Sequence, residues 1–172
     1  MKRTTRTPTA GKVTYTPEEG TSVVREDLPS AIRMRAKAGA LVGQIVAQKM
    51  SSSKIIGAVQ AGLGIEEMES LRTALGLPLE GLASKLGISK ATLHRRKAAG
   101  KLDPAESDRV VRFARLMGKA VEVMESEENA RKWLNSPQIG LGGAVPLNYA
   151  ETEVGAREVE DLLGRIEHGV YS

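Results

Sequence analysis

Leu79-Glu80-Gly81-Leu82-Ala83-Ser84-Lys85-Leu86-Gly87-Ile88-Ser89-Lys90-Ala91-Thr92-Leu93-His94-Arg95-Arg96-Lys97 is the stretch on which the fold turns. Leu79, Leu82, Ala83 and Leu86 fall on one face of a short helix, with the small Ala83 where a second helix must come close. Gly87 permits a sharp turn, Ile88 plugs the angle, Ser89 caps the next helix and Leu93 anchors it. The spacing predicts a helix-turn-helix. Its second helix carries Lys90, Thr92, His94 and Arg95 on its sides and front, suited to a major groove, whose base edges are read by side chains near a helix N-terminus.

Within that helix the residue types suggest separate tasks. Ser89 and Lys90 stand where phosphate and first-base contacts are expected, and Arg95 is the best candidate for a bidentate bond to guanine. His94 would do the same more weakly, and Lys97 suits phosphate. Arg96 occupies a slot that is usually apolar, so either it lies on a phosphate or the recognition helix is tilted. The bland alternative is a helical hairpin with a solvated basic face. Against it, residues 84–101 hold Lys85, Lys90, Arg95, Arg96, Lys97 and Lys101 and no acid to balance them.

Outward from this motif the charge reverses. Residues 119–172 carry ten acidic and five basic side chains, a balance that phosphate would repel and that suits a different partner. The net charge of the whole chain is only +4, so the segregation says more than the total. With no cysteine and two separated histidines, His94 and His168, disulfides, thiolate zinc sites and metal clusters are not expected. No apolar run is long enough for a membrane span, which leads us to expect a soluble, cytoplasmic protein without a cofactor.

Residues 1–29 mix Thr, Pro, Gly and charge without a period and read as a flexible basic arm. N-terminal helices are expected over 30–62, the first capped by Ser30 and broken at Ser51-Ser52-Ser53. The DNA-binding unit is placed at 63–118, with Met68, Leu71, Leu75 and Leu77 at helical spacing. Asp103, Pro104 and Glu106 form a capping arrangement for a long helix. Its apolar face, from Val110 through Val121 to Met124, is broad enough to join two domains or two copies of the chain, and a homodimer on two half-sites is the expected DNA-bound form.

The C-terminal part, 119–172, begins with Ser126-Glu127-Glu128, a helix start with acids in its first turn. Trp133 is expected as a core anchor. Gly140-Leu141-Gly142-Gly143 lacks the downstream Lys of a phosphate-binding loop, so it reads as a tight turn with close packing. Thr152 caps a last helix whose Val154, Val159, Leu162, Leu163 and Ile166 make one stripe; Gly169 ends it, and Val170, Tyr171 and Ser172 follow. No segment reads as a strand, and the expected fold is all-α.

Two stretches resemble the Xre/ParS antitoxins, the group that includes MbcA. One is residues 79–101 with the core Thr92-Leu93-His94-Arg95-Arg96. The other runs from Ala130-Arg131-Lys132-Trp133-Leu134 through Pro137, Leu141-Gly142-Gly143 and Pro146-Leu147, then from Thr152 to Val170-Tyr171-Ser172. The chain departs from the family at Leu147-Asn148-Tyr149-Ala150, where a Leu-Leu pair is usual after the proline. The resemblance implies a type II antitoxin with no catalysis of its own. It would represses its operon and cover the active site of an NAD-degrading RES-domain toxin, with Glu160, Leu163, Glu167, His168, Gly169, Val170, Tyr171 and Ser172 as the contact. On that reading Tyr171 and the carboxylate of Ser172 mimic parts of the dinucleotide; without the resemblance, the last three residues read as a fraying end. A free-standing regulator with a C-terminal dimerisation domain is the alternative. An enzyme ranks last, since no spacing of Ser, His and Asp suggests a triad.

Overall fold

The computed structural model describes residues 40–170. The arm at 1–29, the cap assigned to Ser30, and Tyr171 and Ser172 lie outside the described residues. In chain order the elements are α1 (Ala40–Val46), α2 (Ser52–Ala61), α3 (Ile65–Leu75), α4 (Leu79–Lys85) and α5 (Lys90–Ala99). Then come α6 (Pro104–Met124), α7 (Glu127–Leu134), a 3-10 turn (Ile139–Leu141), α8 (Pro146–Tyr149) and α9 (Glu153–Glu167). Only two isolated bridges, Gly64 with Lys101 and Gln138 with Ala144, interrupt this all-α architecture among the described residues.

The organising element is α6. Asp103 accepts the Glu106 N–H (2.7 Å) while Glu106 accepts the Asp103 N–H (2.9 Å), and Pro104 fills the first helical position, so the start is capped as the sequence predicts. Its 21 residues span about 32 Å at 1.5 Å per residue, enough to lie against α1, α2, α3, α7 and α9. Here the structure corrects one expectation. Val110, Val111, Ala114, Leu116 and Met117 are all buried within their own chain, so most of the 110–124 face is closed to a second copy, with Val121 and Met124 half-buried at its end.

One apolar core results, running from Val42 in α1 to Leu163 in α9. Met68, Leu71 and Leu75 enter it from α3 and Phe113 from α6. Trp133 is only half-buried at its edge; its neighbour Leu134 and Ala130, one turn back, are the fully buried anchors of α7. Val154, expected in the stripe of α9, is exposed, whereas Val159, Leu162 and Leu163 are buried.

Polar bonds between elements add to the core. The start of α1 is satisfied from α3, where the Glu67 carboxylate accepts the N–H groups of Leu41 and Val42. The end of α3 is satisfied from α7 and the residue after it, by Arg131 Nε on Ala74 O (2.9 Å) and Asn135 Nδ2 on Leu75 O (3.0 Å). The segment 63–102 closes on itself through the Leu102 N–H on Leu63 O (2.8 Å).

Candidate functional site

The turn between α4 and α5 positions the first candidate surface. Gly87 takes a left-handed φ of 65°; its N–H donates to Ser84 O (2.9 Å) and the Ile88 N–H to Ala83 O (2.8 Å), which is a Schellman ending for α4. Ile88 is buried, so the turn is held by packing as well as by bonds. Arg109 reaches across from α6 and donates to Leu86 O (2.7 Å). No pattern in the sequence marks that arginine, because its partner is a carbonyl 23 residues away. Ser89 then caps α5, accepting the Thr92 N–H (3.2 Å), and Leu93 is buried beneath.

With its inner side anchored, α5 presents Lys90, His94, Arg95 and Lys97 to solvent, together with Ser89 and the half-buried Thr92. Among the described residues Lys90, Arg95, Lys97 and the following Lys101 have no ion-pair partner, so their charge is uncompensated. Two other cations of the run are spent internally. Lys85 is bound to Asn148 and lies 3.6 Å from Glu151, fastening α4 to the C-terminal part.

Arg96 is the second, and its guanidinium is turned to the start of α6 rather than left free like the cationic groups of its neighbours. Its Nη2 donates to Asp103 Oδ2 (2.7 Å), and its Nε lies 2.7 Å from Glu106 Oε2 with the N–H not aimed at that oxygen, so this second contact is Coulombic. Glu106 and then Asp103 hold the guanidinium proton more tightly than in a free arginine, against the cost of partial burial. The slot that is usually apolar is therefore filled by a cation paired to the cap of α6. The acids that balance it lie just past the acid-free run 84–101.

The second surface lies on the C-terminal part. α9 begins at Thr152, whose Oγ1 accepts the Gly155 N–H (3.0 Å), as the sequence predicts. It ends in the same turn as α4: Gly169 takes φ 66°, its N–H donates to Ile166 O (3.1 Å) and the Val170 N–H donates to Arg165 O (2.9 Å). Gly169 thus ends the helix without releasing Val170, whose backbone is still bonded while its side chain is exposed.

The residues assigned to this surface divide. Glu160, His168, Gly169 and Val170 are exposed, and Glu160 lines a cleft of about 580 Å³ with Arg115, Lys119 and Glu122. Leu163 has no exposed surface and belongs to the core, a correction that its place in the apolar stripe already favoured. Glu167 is held by Lys119 Nζ (2.6 Å), which also reaches Glu122 (3.1 Å); Gln48 at the end of α1 donates to Glu122 (3.0 Å). The bond to Glu167, and then that to Glu122, raises the Lys119 pKa, while Gln48 and then Lys119 lower that of Glu122. Tyr171 and Ser172 are outside the described residues.

The loop 138–144 is the tight turn its glycines suggest, with the Gln138 N–H on Ala144 O (3.0 Å) and the Gly143 N–H on Gln138 O (2.9 Å). A side chain at Gly140 would place its Cβ 2.6 Å from Leu162 Cδ1, so the loop lies directly on α9. At its tip Ile139 is 98% exposed, which the sequence reading missed: a lone isoleucine in a glycine loop breaks no pattern. Among the described residues no cluster of three His, Asp or Glu side chains could hold a metal, and no helix is long and apolar enough to cross a membrane.

Comparison with known proteins adds a family to these two surfaces. Residues 54–115 match the family described as the antitoxin Xre-like helix-turn-helix domain. Residues 119–169 match the antitoxin Xre/MbcA/ParS C-terminal toxin-binding domain. Antitoxin Xre of Yersinia enterocolitica is 35% identical over 120 residues, covering 69% of this chain and 81% of the relative. Antitoxin Xre of Photorhabdus laumondii is 40% identical over 88 residues, 50% of this chain and 60% of the relative. A Sphingobium protein named Prs ADP-ribosylating antitoxin is 24% identical over 127 residues, 68% and 80% of the two chains. The two domains matched in tandem are those whose surfaces the fold displays, and the chain belongs to the Xre/MbcA/ParS antitoxin family.

Proposed function

We propose that the chain neutralises a RES-domain toxin that consumes NAD, covering its active site with the end of α9 and the residues beyond, and that it represses its own operon through α5. The observation that carries the reading is the Schellman turn at Gly169 and Val170. It stops α9 in solvent with the backbone still hydrogen-bonded through Val170, so the exposed end of the helix is shaped before a partner arrives. On the DNA side, the unpaired Lys90, Arg95 and Lys97 supply the positive charge that phosphate requires. Two copies on adjacent half-sites remain the expected bound form, joined through a surface other than the buried part of the 110–124 face.

The test is removal of Tyr171 and Ser172, which leaves the turn at Gly169 intact. Cells expressing the toxin lose protection while operator binding by the purified protein is unchanged; full protection by the shortened chain overturns the proposal. The name of the Sphingobium relative favours a second reading, a toxin that transfers ADP-ribose to a protein. That reaction also consumes NAD, and a labelled acceptor protein rather than free hydrolysis products distinguishes it.

A further inference from the structure

The loop that sequence analysis treated as a mere turn has the attributes of a binding element. Ile139 is 98% exposed, yet it stands on a loop held by several hydrogen bonds. The Gln138 side-chain amide donates to Trp133 O (2.9 Å) and Ser136 O (3.0 Å). The backbone adds the bonds of Leu141 and Gly143 to Gln138 O, of Gly142 to Ile139 O and of Gln138 to Ala144 O. Leu141 is buried and Gly140 sits on Leu162. An isolated exposed apolar side chain means little, but one carried on a backbone held by these bonds has already lost the backbone freedom that binding would otherwise remove.

Two further observations say what covers it. From Trp133 through Ala150 there is no charged residue, eighteen positions in a region otherwise crowded with acids. Depletion of charge together with aromatic residues marks the centre of a protein interface, and Tyr149, also in this stretch, is exposed. The loop is also continuous with the way out of the chain. Leu162 beneath Gly140 is followed on the same face of α9 by Ile166, and Val170 comes after the turn, so an apolar strip leads from the loop towards the tail.

We propose that Ile139 is a second anchor for the toxin, entering an apolar pocket on the toxin's surface beside the cleft that takes the tail. This rests on the reading of the chain as the antitoxin of a RES-domain toxin. The tail would occupy the active site, whereas the loop would hold the rim. Because Ile139 is almost wholly exposed, changing its side chain costs the fold little.

The experiment compares the full chain with its Ile139→Ala and Ile139→Asp variants, titrated calorimetrically against the RES-domain toxin of the same operon. Removing the buried part of one isoleucine weakens binding roughly tenfold, and the aspartate weakens it by a further tenfold or more, since it places a charge in an apolar pocket. The urea midpoint and operator binding of both variants match the wild type. Unchanged toxin affinity in both variants overturns the anchor while the functional reading stands. If the variants alter self-association instead, Ile139 belongs to an interface between copies and the proposal is equally wrong. If the unaltered chain fails to bind the toxin, the functional reading falls and takes the anchor with it.

Discussion

Two helices of this protein end in the same hydrogen-bonded turn and continue differently. After α4 the turn at Gly87 leads into Ser89 and a new helix, and the residue that follows the glycine, Ile88, is buried. After α9 the turn at Gly169 is followed by Val170, which is 55% exposed. The backbone bonds are equivalent, so what separates a joint from an exit is the side chain after the glycine. Burying an isoleucine contributes about 1.5–3 kcal/mol, enough to fix the angle between two helices. An exposed valine contributes little of this, and its turn rests on local bonds that open with the helix end.

The largest effect expected from this contrast comes from truncating the two side chains. Ile88→Ala leaves a cavity between α4 and α5 and costs ~2–5 kcal/mol, read as a lowered urea midpoint. Val170→Ala stays within about 0.5 kcal/mol of the wild type. Equal losses at the two positions would mean that the turns are held alike, and the distinction between joint and exit would fail.

A smaller effect separates the side chains that the joint displays. Arg95→Ala is expected to lose about 1–3 kcal/mol of discrimination between operator and random DNA, whereas Lys97→Ala lowers the slope of log affinity against log salt by about one unit on both. Competition binding at several salt concentrations reads both quantities. Uniform weakening by Arg95→Ala would remove it as a reader of bases. Arg96 makes the useful contrast, since its charge is already paired and its removal acts through the seating of α5 on α6.

This division explains what the sequence could and could not disclose. Caps, turn glycines and buried leucines of 79–97 lie within one or two turns of their partners, so their spacing is legible, as is the capping box at Asp103 and Glu106. Arg96 looked unbalanced because its partners lie 7 and 10 residues on, past the end of the acid-free run. The apolar face of α6 is correct as a face, but only the folded chain shows that α1, α3, α7 and α9 cover most of it before a second copy can. Leu163 carried two incompatible roles, stripe and contact, and burial decides for the stripe. Ile139 escaped because exposure, not residue type or period, makes it notable.

The smallest effect concerns the foot of the exit. Glu167 near the end of α9 is bonded to Lys119, which shares its ammonium with Glu122, and Gln48 and then Lys119 hold the Glu122 pKa below its ordinary value of 4.5. A carboxylate with a lowered folded pKa stabilises the native state fully above its unfolded pKa, and that contribution disappears as pH falls through the folded value. Glu122→Gln should therefore be slightly less stable than the wild type at pH 7, with the gap closing below about pH 4.5 as the wild-type carboxylate takes up its proton. Urea unfolding of both proteins between pH 7 and 3 measures the gap directly, and the difference cancels the other carboxylates that titrate in the same range. Amide exchange locates it: His168, Gly169 and Val170, whose N–H groups close the turn of α9, lose protection in the variant, while Gly87 and Ile88 do not. Arg109 holds the α4 turn through the carbonyl of Leu86, a bond with no carboxylate in it. A gap constant from pH 7 to 3 would show that Glu122 contributes nothing through its charge, and equal loss at both turns would show that the exit has no separate foothold.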